Sequence, residues 1–295
     1  MKQLTLILTC TDRKAIAPPP QLTVRSLPAV SVEERCGLWT QRMSATDAKT
    51  IPLEGLYKGD SWVQQRNVVS TAKGKAQTRS LVASAGLGLQ DLNSNHPSYA
   101  ATFAPGHEDT VCAANDSTVW WSGLQRETGG YQVSQLRGRI LAILSTPYAR
   151  AMDQDLRFLA SLADVEVLLI GGWKDIPGIT RIPADRTLRK ALGGTVGSLL
   201  PRMAKQWLDL WDGAALNSDS AQTRWKEWTE SARVHEQYSR KPMSDREVLD
   251  VIGQLRLKEP QVSATVALRM LRDAGFACEQ KRFSRLFASA REVAA

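Results

Sequence analysis

Short, almost wholly apolar runs alternate with amphipathic stretches over the first two thirds of the chain. Strands that are apolar on both faces and alternate with helices are typical of a parallel sheet covered on both sides. The runs with the length of buried strands lie at 3–10, 79–84, 139–145 and 165–170. Apolar residues at helical spacing occupy 31–42, 61–72, 148–162 and 195–211. The pattern predicts an α/β, Rossmann-like domain with helices on both faces of its sheet, over residues 1–212.

The pattern changes after residue 212. Residues 213–222 (GAALNSDSAQ) are small and polar, which is typical of linkers. Residues 223–238 return to helical spacing, with Trp225 and Trp228 on one side. We therefore expect a linker and connecting helix over 213–243, between the α/β domain and a second domain.

The segment 244–295 predicts a small all-α domain with helix-turn-helix-like spacing. Its helices are expected at 244–258, 264–273 and 279–291. Ser244 and Glu247 form a capping-box pattern, and Gly275 ends the second helix where a left-handed residue is favoured. A short helix, a glycine-containing turn and a basic following helix can enter a DNA major groove. The predicted nucleic-acid-binding residues are Gln280, Lys281, Arg282 and Arg285.

The charge balance adds to this expectation. The chain of 295 residues carries a formal net charge of +8, and between 240 and 295 there are 11 Lys and Arg against 7 Asp and Glu. A basic chain favours polyanionic partners, so nucleic acid, with DNA preferred, is the predicted partner, and protein subunits of a larger complex are a further expectation. No run of about 18 apolar residues occurs, so no membrane partner is expected. The N-terminal apolar run lacks a small-residue cleavage site, and we interpret the protein as cytoplasmic.

The cysteines exclude two kinds of site. Cys10, Cys36, Cys112 and Cys278 are scattered, with no CxxC pair and no histidine pair at ligand spacing. We therefore expect neither a disulfide framework nor a zinc site. No metal and no cofactor is predicted.

Polar and small side chains follow the predicted strands. Cys10 and Asp12 come after the first, and Ser84 and Gly86 come at the end of the second. Carboxyl ends of parallel strands meet at one edge of the sheet, where ligands bind in open α/β folds. These positions therefore predict a ligand site, with Ser84 and Gly86 as anion-binding residues. The alternative is that small polar residues simply end the strands.

A glycine-rich corner precedes the last predicted helix of the α/β domain. It comprises Gly193, Gly194, Thr195 and Ser198. Free backbone N–H groups and the positive end of a helix can hold a phosphate at such a corner. The Lys-Ser/Thr pair of a P-loop is absent, so the prediction is an anion or nucleotide site of another kind. A flexible helix–loop–helix corner is the alternative.

Candidates for catalysis come from the first strand end and from a polar, aromatic loop at 96–109. Cys10 is a candidate nucleophile, Asp12 follows it, and Tyr99 and Glu108 can supply acid–base groups. The competing interpretations are a buried structural cysteine and a surface loop with one buried tyrosine. Whether the protein is an enzyme stays open at this point.

Three segments together resemble the bacterial YaaA-like α/β proteins. They are the first strand ending in TCTDRK, the LVASAGLGL segment followed by PSYAATF, and LGGTVGSLLPRMAKQWL. The resemblance covers residues 3–105 and, more weakly, 139–212, and the loop at Thr9-Cys10-Thr11 departs from the commoner small-residue loop. It implies a cytoplasmic α/β domain in nucleic acid or nucleotide metabolism, in some relatives with phage-defence or stress functions. The GGTVGS corner also resembles the loop of lysine-decarboxylase-like nucleoside-monophosphate hydrolases, whose following catalytic Glu is absent here.

Three hypotheses about function follow. The first is a DNA-binding protein of bacterial phage defence or stress response, whose α/β domain binds a nucleotide or a partner. The second is an enzyme that acts on a nucleotide or nucleobase and uses the C-terminal helices for protein docking. The third is a structural subunit of a nucleoprotein complex.

Overall fold

The computed structural model describes residues 3–234 and 240–292, with the side chains of residues 291 and 292 outside the description. The chain divides into two compact units, Met1–Val234 and His235–Ala295. No helix among the described residues has both the length and the apolar character needed to cross a lipid bilayer.

The first unit is built on a six-stranded sheet with the order β4-β3-β1-β6-β7-β8. The strands of this unit are β1 Leu4–Thr9, β2 Thr50–Pro52, β3 Thr78–Ser84, β4 Gly88–Asp91, β5 Asn95–Pro97, β6 Gly138–Leu144, β7 Val165–Gly171 and β8 Thr180–Ile182. Neighbouring strands of the sheet run parallel except β4, which pairs antiparallel with β3 at one edge. A separate antiparallel pair joins β2 to β5. The predicted α/β class with a mostly parallel sheet is confirmed.

Helices pack around this sheet and around each other. They are α1 Val32–Ala45, α2 Leu53–Leu56, α3 Asp60–Lys73, α4 Ser117–Glu127, α5 Thr146–Ala151, α6 Asp153–Ser161, α7 Arg189–Leu192, α8 Leu199–Leu210 and α9 Asp219–Ala232. α3 packs against α8 and α1 against α4. The single helix expected over 148–162 is interrupted at Met152, whose φ of -89° and ψ of 14° separate α5 from α6.

β1 lies at the centre of the sheet, between β3 and β6. Leu4, Leu6, Ile7 and Leu8 are all at most 1% exposed, because both faces of the strand are covered. From β1 the chain continues to β3 on one side, and it later returns to β6 on the other side. The direction of winding therefore reverses between β1 and β6, with the carboxyl ends of both strands at the same edge.

The structure differs from the prediction at residues 213–222, which were expected to form a linker. Leu216 is fully buried, and the Asn217 backbone N–H donates to Glu166 Oε1 at 2.6 Å. In α9, the Trp225 ring lies 5.5 Å from that of Trp207 in α8. The apolar face of α9 thus completes the core of the first unit, which extends to Val234 instead of ending at residue 212.

The second unit consists of three helices and one short strand pair. The helices are α10 Asp245–Lys258, α11 Ala264–Asp273 and α12 Gln280–Glu292, and the strands are β9 Lys241–Pro242 and β10 Phe276–Ala277. The capping box at Ser244 and Glu247 is present, and Gly275 has a φ of +88°. The buried core side chains are Val248, Ile252, Ala267, Leu268, Leu271, Phe283 and Leu286. The parallel pairing of β9 with β10 departs from the purely helical domain expected from the sequence.

The role of α9 can be tested by replacing Trp225 with Ala. We expect the free energy of unfolding of the full-length protein to fall by about 2 kcal/mol, because a half-buried ring and its contact with Trp207 are lost. Phe158→Ala is the matched control, since that side chain is 43% exposed and its loss should change stability by less than about 0.5 kcal/mol. Urea unfolding followed by circular dichroism measures both, and equal stabilities would show that α9 does not complete the core.

Candidate functional site

Five buried hydroxyl and thiol groups meet at the carboxyl ends of β1, β3 and β6. We call Cys10, Tyr57, Ser84, Tyr99 and Tyr148 the switch-point cluster. Each of these residues is at most 8% exposed. Three come from the ends of strands or the helix that follows β6, and the other two come from irregular segments of the chain. The sheet and the helix after β6 therefore position three residues of the cluster, and irregular segments supply the other two.

The hydrogen bonds within the cluster form two sets, one between Cys10 and Tyr148 and the other among Tyr57, Tyr99 and Ser84. Cys10 Sγ lies 3.0 Å from Tyr148 Oη. Tyr57 Oη lies 2.7 Å from Tyr99 Oη, which in turn shares a hydrogen bond with Ser84 Oγ. Ser84 Oγ also accepts the backbone N–H groups of Gly86 and Leu87, each at 3.1 Å. Buried hydroxyl groups require such partners, since an unpaired one costs about 1–3 kcal/mol.

Burial keeps the three phenols protonated. It raises the pKa of Tyr57, Tyr99 and Tyr148 well above the ordinary tyrosine value, and the nearby Cys10 raises each pKa further. At neutral pH all three side chains are therefore neutral hydrogen-bond donors.

Lys14 lies beside the cluster and is partly buried. Its Nζ donates to the carbonyl oxygens of Thr11 and Asp12 at 2.9 and 3.0 Å. The same ammonium lies 4.6 Å from the ring centre of Tyr99 and 5.2 Å from that of Tyr57. Burial lowers the pKa of Lys14, while Cys10 and Asp12 act in the opposite direction. The Lys14 side chain is therefore held against the rings of two members of the cluster, Tyr57 and Tyr99.

Two of the four predicted catalytic residues belong to the cluster, and two lie outside it. Cys10 and Tyr99 are members. Asp12 is exposed, with Oδ2 3.7 Å from His107 Nε2, and Glu108 is exposed and forms an ion pair with Arg25. No sequence pattern predicts a role for Tyr57, and the only sequence signal for Tyr148 and Lys14 is their position near the ends of strands.

The predicted anion-binding residues at the end of β3 have internal partners. Ser84 and the Gly86 N–H bond to each other, and a Cβ at Gly86 would lie 2.6 Å from the Tyr99 ring. Glycine is required here because the turn packs directly against that ring. Ser84 and Gly86 thus position the phenol of Tyr99, and their own polar groups already form hydrogen bonds within the protein.

The glycine-rich corner before α8 is occupied by charges of the protein itself. Gly193 and Gly194 have φ of +72° and +74°, and Arg202 packs against Gly194. The Arg202 guanidinium donates to Asp60 Oδ1 at 3.2 Å and to Ser198 Oγ at 3.3 Å. Hydrogen bonds from Ser198 and Gln64, followed by the charge of Arg202, lower the pKa of Asp60. A carboxylate thus stands where a phosphate was expected.

Thr195 lies in the same corner and also has an internal partner. Its carbonyl oxygen accepts the Ser198 backbone N–H at 3.1 Å. This bond closes the turn that leads into α8. The four residues predicted for the corner are close together in the chain, and no hydrogen bond among the described residues joins them to Ser84 or Gly86.

A cleft of about 320 Å³ lies between α11 and α12 in the second unit. We call it the arginine cleft, after Arg240, Arg269 and Arg272 in its lining. Gln280 and Ser284 face it from α12. The Arg240 Nε donates to the Arg272 carbonyl oxygen at 3.0 Å, and Arg272 donates to the Cys278 carbonyl oxygen at 2.9 Å. Residues of both helices thus line one polar depression, in which three arginines outnumber the single acidic residue, Asp273.

The predicted nucleic-acid-binding residues take different positions around α12. Gln280 lines the cleft, Lys281 is exposed, and the Arg285 side chain is 73% exposed. Arg282 instead donates to Asp245 Oδ1 at 2.6 Å and to the Met243 carbonyl oxygen at 2.8 Å. Arg282 therefore holds the start of α12 to the start of α10.

The N-terminus of α12 is capped from within. The Glu279 carboxylate accepts the backbone N–H groups of Lys281 and Arg282 at 2.9 and 2.8 Å. Those bonds lower the pKa of Glu279. The three arginines of the cleft are not among the residues predicted from the sequence, although Arg269 and Arg272 are three residues apart, a spacing that places both on one side of a helix.

The hydrogen-bonded role of Tyr99 can be measured by replacing it with Phe. We expect the free energy of unfolding to fall by about 1–2 kcal/mol, because Ser84 and Tyr57 each lose a buried partner. Tyr131→Phe is the control, since no hydrogen bond of the Tyr131 hydroxyl is found within residues 3–234 and 240–292. A loss no greater than in the control, measured by urea unfolding, would contradict a connected network.

Comparisons with known proteins add no assignment to this geometry. Models of protein families, curated protein sequences and solved structures were each compared with the chain, and no match was found. The two arrangements that point to function are therefore those formed by the chain's own side chains: the buried switch-point cluster of the first unit and the arginine cleft of the second.

Proposed function

We propose that the protein binds nucleic acid, with DNA as the preferred partner, through the arginine cleft and the first turns of α12. The observation that carries the proposal is the convergence of Arg240, Arg269 and Arg272 on one cleft that Gln280 and Ser284 also line. Guanidinium groups bind phosphate oxygens through paired N–H donors, and phosphate contacts supply most of the affinity of such proteins. A cleft with this lining is suited to a nucleic acid backbone.

The residues at the start of α12 match the second requirement, which is contact with bases. Glutamine can bond an adenine edge through two hydrogen bonds, and residues early in a recognition helix lie closest to the base edges. Gln280 is the first residue of α12, and Lys281 is exposed beside it. In this proposal the arginines and Arg285 bind phosphates, while Gln280 discriminates between sequences.

The connection between α11 and α12 is longer than in the common helix-turn-helix. Six residues, 274–279, separate the two helices, whereas a turn of three or four residues is usual. Lys241 N–H donates to the Gly275 carbonyl oxygen at 3.0 Å, so the longer turn is fixed by pairing with β9. We propose a variant of the helix-turn-helix in which a short strand pair replaces the tight turn.

The setting that we propose for this activity is bacterial phage defence or stress response, which is what the resemblance to YaaA-like proteins implies. The α/β unit then binds a nucleotide or a partner. The second candidate function, an enzyme that uses the C-terminal helices for protein docking, is favoured by the switch-point cluster, which has a thiol and an ammonium packed against two of its tyrosine rings. Catalysis by the first unit is compatible with nucleic acid binding by the second, because the residues that support them lie in different units. Protein docking by the C-terminal helices is the alternative to nucleic acid binding by those helices.

The phosphate contacts can be tested with Arg269→Gln and Arg285→Gln in the full-length protein. Both side chains are exposed, so folding should be unaffected. Each substitution should weaken binding to duplex DNA, and the slope of log K against log salt concentration should fall by roughly 0.9 for each lost contact. Fluorescence anisotropy at several salt concentrations measures both quantities.

Arg246→Gln is the matched control for charge, since Arg246 is exposed in the same unit but does not line the cleft. It should leave the slope unchanged. If the control weakens binding as much as the two test variants, attraction by net charge alone explains the binding. If none of the variants binds differently from the unaltered protein, the helices serve protein docking.

Base recognition is tested separately with Gln280→Ala. We expect discrimination between a preferred and a non-preferred duplex to fall by about 1–3 kcal/mol, because one pair of base hydrogen bonds is lost. The salt slope should stay the same, since glutamine carries no charge. Competition between the two duplexes measures the discrimination, and an unchanged ratio would assign Gln280 no part in reading the sequence.

A further inference from the structure

A cavity of about 550 Å³ in the first unit is lined by residues of β8, α8 and α9. We call it the tryptophan cavity, after Trp207 of α8 and Trp225 of α9 in its lining. Its volume falls within the range of about 300–1,000 Å³ that is usual for small-molecule sites. The cavity lies apart from the switch-point cluster, none of whose members is in the lining.

The indole nitrogen of Trp207 is a buried hydrogen-bond donor without a partner among the described residues. Trp207 is 2% exposed. The other fully buried tryptophans each donate Nε1 to an oxygen of the protein, and they are Trp39, Trp62, Trp120, Trp121 and Trp211. A buried donor that stays unpaired is costly, so such a group requires an explanation. An acceptor atom of a ligand in the cavity would supply the missing partner.

Thr229 of α9 brings a buried acceptor to the same lining. It is 3% exposed, and its Oγ1 donates to the Lys226 carbonyl oxygen at 2.9 Å. The lone pairs of this hydroxyl remain to accept a hydrogen bond. The apolar side chains of the lining are Ile182, Leu188, Met203, Trp207 and Trp225. The cavity thus combines a mainly apolar wall with one buried donor and one buried acceptor, as small-molecule sites usually do.

The charged groups of the lining balance one another. Arg181 and Arg233 each form an ion pair with an aspartate, at 2.8 and 2.9 Å. The two remaining charged residues of the lining, Lys226 and Asp219, have opposite signs. The lining therefore attracts neither anions nor cations strongly, which favours an uncharged ligand.

The edge strand β8 adds backbone groups to one side of the cavity. Within the six-stranded sheet it pairs with β7 alone, and each of its three residues lines the cavity. The outer edge of such a strand carries N–H and C=O groups that the sheet does not use. Donors and acceptors along one line match the polar edge of a flat heterocycle.

We propose that the tryptophan cavity binds an uncharged, planar nitrogen heterocycle of the nucleobase type. A ring nitrogen or carbonyl oxygen of the ligand accepts from Trp207 Nε1, and a ring N–H or amino group donates to Thr229 Oγ1. The flat ring packs against Trp225, since aromatic rings favour such contacts. The inference rests on the part of the proposed function in which the first unit binds a nucleotide, whose base it assigns to this cavity. It does not depend on nucleic acid binding by the second unit.

Isothermal titration calorimetry of the full-length protein with benzimidazole and with indole tests the hydrogen bond to Trp207. The two molecules have nearly the same shape, but only benzimidazole has a ring nitrogen that accepts a hydrogen bond. We expect benzimidazole to bind roughly tenfold more tightly, because indole leaves the buried donor unpaired. Trp207→Phe should remove that difference, whereas Trp228→Phe should keep it, since Trp228 lies in α9 but outside the lining.

A second pair of variants tests the location with exposed side chains only. Thr223 is an exposed residue of the lining, and Glu227 is exposed on the same helix outside the lining. Thr223→Trp should weaken the binding of adenine by at least about tenfold, because the larger side chain fills the cavity. Glu227→Trp adds the same bulk elsewhere and should leave the affinity unchanged.

Three results would overturn the inference. If neither adenine nor benzimidazole binds at millimolar concentration, the cavity holds solvent only. Equal affinities for benzimidazole and indole would exclude the hydrogen bond to Trp207. Adenosine monophosphate that binds equally well to the unaltered protein and to Thr223→Trp would place the nucleotide elsewhere, so that the proposed function stands and the inference fails. If Trp207→Phe does not fold, Thr223→Trp and its control decide.

Discussion

The structure of the first unit depends on the complete burial of β1 between β3 and β6. A strand apolar on both faces must be covered on both, which imposes a layered fold and parallel neighbours. Parallel strands in turn bring their carboxyl ends to one edge. Cys10, Ser84 and Tyr148 are neighbours for this reason, although long stretches of chain separate them. The polar cluster is therefore a consequence of the apolar core.

The features that could be predicted from the sequence are those that depend on a local pattern of residues. The four long strands, the capping box at Ser244 and the end of α11 at Gly275 each depend on residues close together in the chain. The shared edge of Cys10 and Ser84 followed from parallel pairing alone. The contact of Tyr57 with Tyr99 did not, because it joins two irregular segments 42 residues apart. No periodicity marks such a pair.

Ion pairs between residues far apart in the chain could not be predicted from the sequence either. The corner before α8 has the glycines of an anion site, but Asp60 reaches it from a position 142 residues away from Arg202. In the same way the apolar side formed by the tryptophans of α9 predicts a helix but not its partner, and only the structure shows that this side packs against Trp207. A sequence motif indicates that a site is able to bind a ligand. Only the tertiary contacts show whether side chains of the protein already occupy that site.

Glu279 gives the second unit a property that bears on how the sequence of α12 can change during evolution. Its carboxylate already supplies the negative charge that the start of α12 favours, so the helix forms without help from a bound phosphate. The residues that fold α12 thereby differ from those proposed to bind nucleic acid. The exposed positions of α12 can therefore vary without loss of the helix, as long as Glu279 and the buried Phe283 and Leu286 are kept.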